Sequence, residues 1–346
     1  MRHEFINPLT EPEWNKALLG YRAATVFHTA QWARVLAEAY GYRPHYALFK
    51  EGESVVGMLP IMEVRSVWTG QRGVCLPFSD ECAPLITDGV MVHDLLPPIL
   101  ELGKSHRWDY LELRGGTPEG MWVETGHFVT HDLELESSEE LQLRKLRDST
   151  RRNIQKADRE GVKVQHLYSL DAMDIFYSLH CRTRRRHGLP PQPRRFFHLI
   201  HEHLIKPEFG FISLARFENR WISGSVFLRF GSHAVYKFGA SDPKFQHLRA
   251  NNLVMWESIC RLQKDRISRL SLGRSERSDE GLLQFKRGWG GREVRLAYYR
   301  MGLVKRPVRN NAQEARTSSS LSQKVMQRLP ISMLRILGTF LYRHIG

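Results

Sequence analysis

The stretch from residue 236 to residue 291 decides the fold. It reads YKFGASDPKFQHLRANNLVMWESI over 236–259, LSLGRSE over 270–276 and GLLQFKRGWGG over 281–291. Its pattern predicts a strand over 234–238, a long helix from about residue 248 to 264 and a final strand near Leu270 that leads to Gly273. This strand, helix, strand order favours an α/β (α+β) fold, with mixed sheets flanked by helices.

The rest of the chain repeats this alternation. The second half adds a charged helix from residue 141 through about Glu160, ended by Gly161, and strands over 210–216 and 221–229. The first 135 residues show a similar order: a helix over 30–40, hairpin strands over 46–49 and 55–64, and a strand over 108–113. Two similar passes predict duplicated domains at 1–140 and 141–305, without a clear residue-level repeat.

Composition indicates a folded, basic protein. The 346 residues suffice for two domains, and Lys plus Arg exceed Asp plus Glu by 51 − 37 = 14, with a pI near 9.8. A positive surface favours anionic partners, such as nucleotide phosphates, transfer RNA or lipid headgroups, although plain solubility is an alternative. The four cysteines form no CxxC pair, and neither a secretory signal nor an 18-residue apolar run appears. We therefore expect a cytoplasmic protein that is soluble or lies on a membrane surface.

The last 41 residues, 306–346, have a different character. A polar linker containing Pro307 and a run of serines precedes apolar residues at helical spacing, among Lys324, Arg328, Arg335 and Arg343. Such a basic amphipathic helix can lie flat in an anionic membrane interface, on the inner face of the membrane. A terminal helix packed on the protein's own core is an equally good interpretation.

Two segments concentrate positive charge. Residues 144–163 hold eight cations against three acids, which a solvated helix face would also explain. Residues 182–195 include Arg184, Arg185 and Arg186 and contain no acid. Like charges this close repel one another, so a bound polyanion is a plausible compensation, and the prolines at 190, 191 and 193 predict a stiff loop that binds it.

Several other chemistries lack their motifs. His198, His201 and His203 cannot all face one ion from one helix, and HExxH is missing, so we expect no metal. The sequence also lacks GxSxG, Walker A and a GxGxxG after a strand. Hydrolase and dinucleotide-binding functions thereby lose their main support.

The opening stretch instead holds the parts that an acyl-transfer site uses. The helix that follows Arg249 offers unpaired backbone N–H groups for a phosphate or carbonyl oxygen. Lys286, flanked by Phe285 and Trp289, has the charge to stabilise an oxyanion. Asp242, in a turn beside Ser241, is the candidate general base for the attacking amine. A turn acid, a helix cap or a surface lysine is the alternative reading of these residues.

Six ordered blocks resemble the FemAB and BioF2-like acetyltransferase families of the GNAT superfamily. They are LPFSDECAPL (76–85), WDYLELRGG (108–116), STRRNIQKADREGVKV (149–164), FYSLHCRTRRRHGLPPQP (176–193), YKFGASD (236–242) and GLLQFKRGWGG (281–291). The FKxGxGG-like element is similar to one in the peptidoglycan bridge-forming aminoacyl transferases. The resemblance implies two tandem GNAT-like domains, with the acceptor bound in a groove between or beside them.

The resemblance also assigns roles. It implies that Phe285 and Lys286 lie at the donor end, and that Tyr236, Lys237 and Asp242 line the acceptor groove. The donor would be acyl-CoA or aminoacyl-tRNA, and the acceptor an amine on a cell-wall, exopolysaccharide or lipid-linked molecule. The alternative is a non-catalytic GNAT-like module that binds an anionic polysaccharide or nucleic acid through the 182–195 region.

Two departures from the family pattern are visible. Ser271-Leu272-Gly273-Arg274 stands where relatives commonly have Asp-Phe-Gly-Arg. Ala250-Asn251-Asn252 replaces the glycine-rich loop that binds the CoA pyrophosphate in GNAT enzymes.

Overall fold

The structure is a computed structural model that describes residues 1–116, 118, 120, 122–304 and 320–346, without the side chains of residues 320 and 321. Most of the predicted linker therefore lies outside the described residues.

Strands and helices alternate along the chain. The strands are β1 (Arg2–Ile6), β2 (Arg43–Pro44), β3 (Tyr46–Glu51), β4 (Ser54–Leu59), β5 (Met62–Ser66), β6 (Gly70–Val74), β7 (Leu85–Ile86), β8 (Tyr110–Arg114), β9 (Val123–Glu134), β10 (Lys163–Leu167), β11 (Gly210–Phe217), β12 (Arg220–Phe230), β13 (His233–Ser241), β14 (Arg269–Ser271), β15 (Ser275–Glu276) and β16 (Arg292–Gly302). The α-helices are α1 (Trp14–Leu18), α2 (Ala30–Tyr40), α3 (Val92–Ser105), α4 (Glu139–Lys145), α5 (Asp148–Arg159), α6 (Leu170–Arg186), α7 (Arg194–Ile200), α8 (Ala250–Lys264), α9 (Glu280–Arg287), α10 (Ser320–Arg328) and α11 (Ile331–Ile345). Short 3₁₀ turns cover Val26–His28 and Pro243–Leu248, and a π-helical turn covers His201–Ile205.

The chain forms two compact units. Unit 1 comprises 1–128, 295–317 and 340–346, and unit 2 comprises 129–294 and 318–339. These divisions differ from the predicted domains 1–140, 141–305 and 306–346. The reason is that β9 and β16 each contribute residues to both units, and that α10 and α11 pack within the units instead of forming a segment of their own.

Unit 1 contains a sheet in the order β1-β3-β4-β7 and strands in the order β9-β16-β8-β6-β5-β2. Helix α2 has the predicted bounds, because the Thr29 side chain caps its start and Gly41, at φ +74°, ends it. The predicted strand over 55–64 was wrong in one respect. It is two strands, β4 and β5, which separate at Pro60 because each pairs in a different sheet.

Unit 2 has the strand order β10-β11-β12-β13-β14-β9, antiparallel except for the parallel pair β13 and β14. Its core packs around α8, with Val254, Ile259 and Leu262 fully buried. The single helix predicted from residue 141 through Glu160 is instead α4 and α5. They are separated where Leu146 is buried and the Arg147 N–H donates to the Gly288 carbonyl at 3.0 Å.

Within the described ranges, no helix combines the length and the apolar character needed to cross a membrane. All four cysteines are buried as free thiols.

Candidate active site

In unit 2 the parallel strands β13 and β14 end at different points. Strands β13 and β14 pair over three positions, ending at Val235 opposite Ser271, after which β14 stops and β13 continues to Ser241. Lys237 is bulged, since Tyr236 pairs with Phe227 and Phe238 with Val226. Ligands of open α/β sheets bind beyond the carboxyl ends of parallel strands. The end of β13 is therefore the place to look for substrate.

The turn after β13 is tied to the end of α6. Asp242 accepts from the Lys244 N–H at 3.0 Å through Oδ1 and from Arg182 Nη1 at 2.7 Å through Oδ2. The Ser241 N–H donates to Thr183 Oγ1 at 3.1 Å. Asp242 thus caps the 3₁₀ turn over 243–248, which is the structural role left open by the sequence.

Helix α8 begins directly after this turn, as predicted. Arg249 precedes it in the left-handed conformation, at φ +59°, with its side chain exposed, and the first turn carries no acid. Asn251 accepts from Ser223 Oγ at 2.5 Å, and its Nδ2 lies 3.5 Å from Ser241 Oγ. A helix start with an exposed cation fits the phosphate of a nucleotide-bearing donor. Asn251 therefore anchors the start of α8 to Ser223 on β12 and Ser241 on β13.

Lys286 is buried in α9, with 2% of its surface exposed. Its Nζ donates to the Gly273 carbonyl at 2.7 Å and lies 3.3 Å from the Arg274 carbonyl. These carbonyls follow the end of β14. The surface-lysine interpretation is therefore wrong, and the ammonium is held at the end of β14.

The glycines after Lys286 serve close packing. A Cβ on Gly290 would lie 2.5 Å from the Lys145 carbonyl oxygen, and one on Gly288 would lie 2.3 Å from Thr150 Oγ1. One on Gly291 would lie 2.5 Å from Leu133 Cδ1. Only glycine lets this turn approach the chain so closely, and at Gly290 it also allows φ +76°. The turn that carries Lys286 is therefore held against the α4–α5 junction.

Several buried polar groups around Lys286 have no hydrogen-bond partner within the described part of the chain. They are His131 Nδ1, Ser275 Oγ and Trp289 Nε1. His131 lies on β9, where burial and the nearby Lys286 charge lower its pKa. Buried polar atoms are nearly always paired, so a group of unpaired ones indicates a place for a ligand or ordered water. The sequence did not point to His131 or Ser275, because strands distant in sequence bring them here.

The aromatic residues of the opening stretch flank this region. Phe285 stacks edge-on against Trp289 at 5.9 Å between ring centroids. Burial raises the pKa of Tyr236 to about 12, so its hydroxyl stays protonated, and a Cβ on Gly239 would lie 1.8 Å from that oxygen. Lys237 lies over the Phe238 ring at 5.4 Å.

The predicted stiff loop is present over 187–193, between α6 and α7. Arg184, Arg185 and Arg186 form the last turn of α6 before it, and Arg184 Nε donates to the Pro190 carbonyl at 3.2 Å. Acids distant in sequence reach the second cluster: Asp242 pairs with Arg182 and Asp174 with Arg194. In the first segment Arg144, Lys145, Arg151 and Lys163 have acidic partners. Much of this charge is thus locally compensated.

One set of possible metal ligands occurs among the residues that the structure describes. His45, Glu63 and His106 place ligand atoms within 4.8 Å of one another in unit 1. Glu63 accepts from Arg65 Nε at 2.6 Å and from Trp108 Nε1 at 2.8 Å, and it lies 2.6 Å from His106 Nδ1. These partners already satisfy the buried carboxylate. His198, predicted not to bind metal, pairs with Asp174.

Residues 144–287 match the family model described as an acetyltransferase (GNAT) domain. This part of the chain is similar to GNAT acetyltransferase domains. The matched range contains Asp242, Arg249 and Lys286. No curated protein matches the sequence.

Several solved structures share the fold of this chain. FemX is similar at a TM-score of 0.67 and 12% identity, over 92% of this chain and all of that one. A tandem GNAT protein from the clavulanic acid biosynthesis pathway gives 0.57 and 10%, over 88% and 100%. L-PGS from Bacillus licheniformis gives 0.52 and 11%, over 97% and 99%. These likenesses confirm the predicted tandem GNAT fold.

Proposed function

We propose that the chain transfers an acyl or aminoacyl group to an amine, with Lys286 stabilising the negative charge of the transition state. The observation that carries this proposal is the buried Lys286 ammonium, oriented by two carbonyls and surrounded by polar groups that lack partners within the described residues. A fixed positive charge in a dry site stabilises an oxyanion far more than one in water.

The reaction needs no covalent enzyme intermediate. The amine nitrogen attacks the acyl carbonyl carbon, the carbonyl electrons move to oxygen, and the tetrahedral oxyanion collapses as the C–S bond of acyl-CoA or the C–O bond of aminoacyl-tRNA breaks. The nitrogen loses a proton, and the leaving thiolate or alkoxide gains one. We assign donor phosphates to Arg249 and the start of α8, and the acceptor side to Tyr236, Lys237 and Ser241.

Asp242 is our candidate for the base that takes the amine proton. Its two oxygens already serve Arg182 and Lys244, so basicity and capping must be separated by experiment. Asp242→Asn does this, because asparagine caps a helix start as well as aspartate does but accepts no proton. A loss of at least about 10²-fold in kcat with unchanged thermal stability supports the base, and normal turnover leaves Asp242 a structural acid.

For the acceptor we propose an anionic, lipid-linked or glycan molecule of the cell envelope, met on the cytoplasmic side at the inner membrane face. The net charge of +14, with the half-buried Arg185 and the exposed Arg186 in the last turn of α6, supports an anionic partner. FemX and L-PGS support this class only through a shared fold. A non-catalytic polyanion-binding module is the weaker alternative, because Arg182 and Arg194 are already paired with acids.

The proposal is tested by direct transfer assays. The full chain is incubated with acetyl-CoA, longer acyl-CoAs or charged transfer RNAs, together with amine acceptors, and product is followed by mass spectrometry. Amide product from at least one donor, reduced about 10²-fold or more by Lys286→Met, supports the proposal. Tight binding of polyanions with no turnover on any donor supports the binding module instead.

A further inference from the structure

Helix α11 presents two apolar faces. Leu334, Gly338 and Tyr342 point inward and are buried. On the other side Met333, Ile336, Leu337 and Phe340 are between 37% and 60% exposed. A terminal helix that only packs on its own protein has a polar outer face. Both interpretations left open by the sequence therefore apply, one to each side of the helix.

Each end of α11 is anchored within its own unit. Gly338 lies so close to the loop after α6 that a Cβ would meet the Pro191 carbonyl oxygen at 1.9 Å, and Arg335 lies over the Tyr177 ring at 5.4 Å. At the other end, the Tyr42 hydroxyl donates to the Tyr342 carbonyl at 3.2 Å. An apolar face presented on a docked helix differs from a loose tail, whose apolar residues can fold back on one another.

A hairpin tip extends the exposed face. Val67 and Trp68, in the turn between β5 and β6, are 89% and 64% exposed. Trp68 packs on His344 at 4.2 Å between ring centroids, and Thr69 Oγ1 donates to the His344 carbonyl at 2.8 Å. At 100° per residue, His344 lies on the same side of α11 as Met333, Leu337 and Phe340. Tryptophan is the residue enriched at membrane interfaces.

Charge selects the partner. Residues 320–346 contain Lys324, Arg328, Arg335 and Arg343 and no acid. Cations beside exposed apolar residues match an anionic bilayer, and a 15-residue helix is about 22 Å long, which suits lying in the interface. We propose that Met333, Ile336, Leu337, Phe340 and Trp68 form a docking surface that inserts into an anionic membrane interface. This surface deepens the membrane-face location in the proposed function, on which it rests.

The test measures binding of the full chain to vesicles. Wild-type protein is sedimented with vesicles of phosphatidylglycerol and phosphatidylcholine, and with phosphatidylcholine alone. The test variant is Ile336→Gln with Phe340→Gln. The control is Leu19→Gln with Leu141→Gln, which removes comparable apolar side chains that are 62% and 42% exposed elsewhere. Melting temperatures check that both variants fold.

We expect wild type and control to bind anionic vesicles and to bind neutral ones much more weakly. The test variant should lose about 30-fold or more in partition coefficient, the scale of two withdrawn apolar side chains. Brominated lipids should quench part of the tryptophan fluorescence in wild type and less in Trp68→Phe. Equal binding by the test variant, or no binding by wild type, overturns the proposal.

Analytical ultracentrifugation tests whether a second copy of the chain, and not a membrane, occupies this face. A wild-type dimer that Ile336→Gln with Phe340→Gln converts to monomer, without vesicle binding by wild type, would overturn the proposal and assign the face to a second copy. The assay contains no acyl donor, so its failure leaves the transfer function untouched. Conversely, vesicle binding without turnover on any donor would count against the transfer proposal alone.

Discussion

Each unit buries charge, but in opposite ways. In unit 1 Glu112 lies between two arginines. Its Oε1 is 2.9 Å from both Nε and Nη2 of Arg114, and its Oε2 is 2.8 and 2.7 Å from Nε and Nη2 of Arg300. In unit 2 Lys286 donates to backbone carbonyls, with His131 Nδ1, Ser275 Oγ and Trp289 Nε1 unpaired within the described ranges. Both centres are almost completely buried.

This difference suggests a structural role for the Glu112 centre and a chemical role for the Lys286 centre. A carboxylate saturated by two guanidinium groups has no capacity left for a ligand, so its role is to hold β8 and β16 together. Polar atoms that stay unpaired in the interior are costly, and evolution retains them where a ligand completes them. Burial of a charge alone therefore does not mark an active site, and the unpaired atoms beside Lys286 are what make it the candidate.

The largest effect is expected when Glu112 is removed from between Arg114 and Arg300. Glu112→Ala leaves Arg114 and Arg300 buried without their shared counter-ion, which should lower the free energy of unfolding by about 3–5 kcal/mol. Urea unfolding of wild type and variant measures it, with Glu112→Gln as the control that keeps the shape. A loss below about 1 kcal/mol would show that the two arginines find other partners.

Substitution of Lys286 should lower the rate of transfer and leave the stability of the protein nearly unchanged. Lys286→Met keeps the apolar stem but removes the ammonium, and we expect kcat to fall about 10²-fold or more while the melting temperature changes little. Transfer kinetics and thermal melting of the same preparation decide this. A variant that melts many degrees lower with near-normal turnover would reverse the assigned roles of the two centres.

The pH dependence of unfolding tests one buried histidine in each unit. Burial lowers the pKa of His28 to about 4 and that of His180 to about 3. The unfolded chain therefore binds protons first as the pH falls below about 6.5. The stabilisation by each neutral imidazole is complete above that pH and is lost toward acid at roughly 1.4 kcal/mol per pH unit.

Urea unfolding between pH 7.5 and 4.5 should thus show a flatter pH dependence in His28→Gln and in His180→Gln than in wild type. The pH dependence matters here, because either substitution also changes the stability at pH 7.5. Parallel curves for wild type and variant would mean that the histidine titrates normally in the folded chain.

The smallest effect concerns the arginines in the last turn of α6. Arg185→Gln with Arg186→Gln should raise KM for an anionic substrate about three- to tenfold at low salt, with kcat nearly constant and a smaller effect at high salt. Arg184 is left in place because it bonds to the Pro190 carbonyl. Arg151→Gln with Arg152→Gln on α5 is the matched control, and an equal rise there would make the effect one of net charge only.

Sequence predicted those parts of the fold that local chemistry decides. The apolar spacing over 30–40 predicted α2, which Thr29 and Gly41 delimit, and a helix was predicted after Arg249, where α8 begins. The break between α4 and α5 could not be predicted, because neither Leu146 nor Arg147 is a helix breaker. Burial of Leu146 and a hydrogen bond to Gly288, which lies far along the chain, create it.

The site follows the same rule. Lys286 was identified through the resemblance of its glycine-rich block, while local patterns alone left it a surface lysine. Asp242 was proposed as the base from its place in a turn. Its ion pair with Arg182 was not predicted, because the pair joins the ends of α6 and β13 across 60 residues. His131 and Ser275 carry no signal in sequence, because their significance lies in the partners that they lack within the described chain.

The three glycines behind Lys286 have a consequence for mutability. The glycines at 288, 290 and 291, on either side of the buried Trp289, let the backbone lie directly against Lys145, Thr150 and Leu133. Sequence change in the turn is therefore restricted by the neighbouring chain. A side chain at Gly290 would meet the Lys145 carbonyl oxygen, and one at Gly288 or Gly291 would require Thr150 or Leu133 to move. To shift the Lys286 ammonium, residues at the α4–α5 junction are therefore better targets than the glycines themselves.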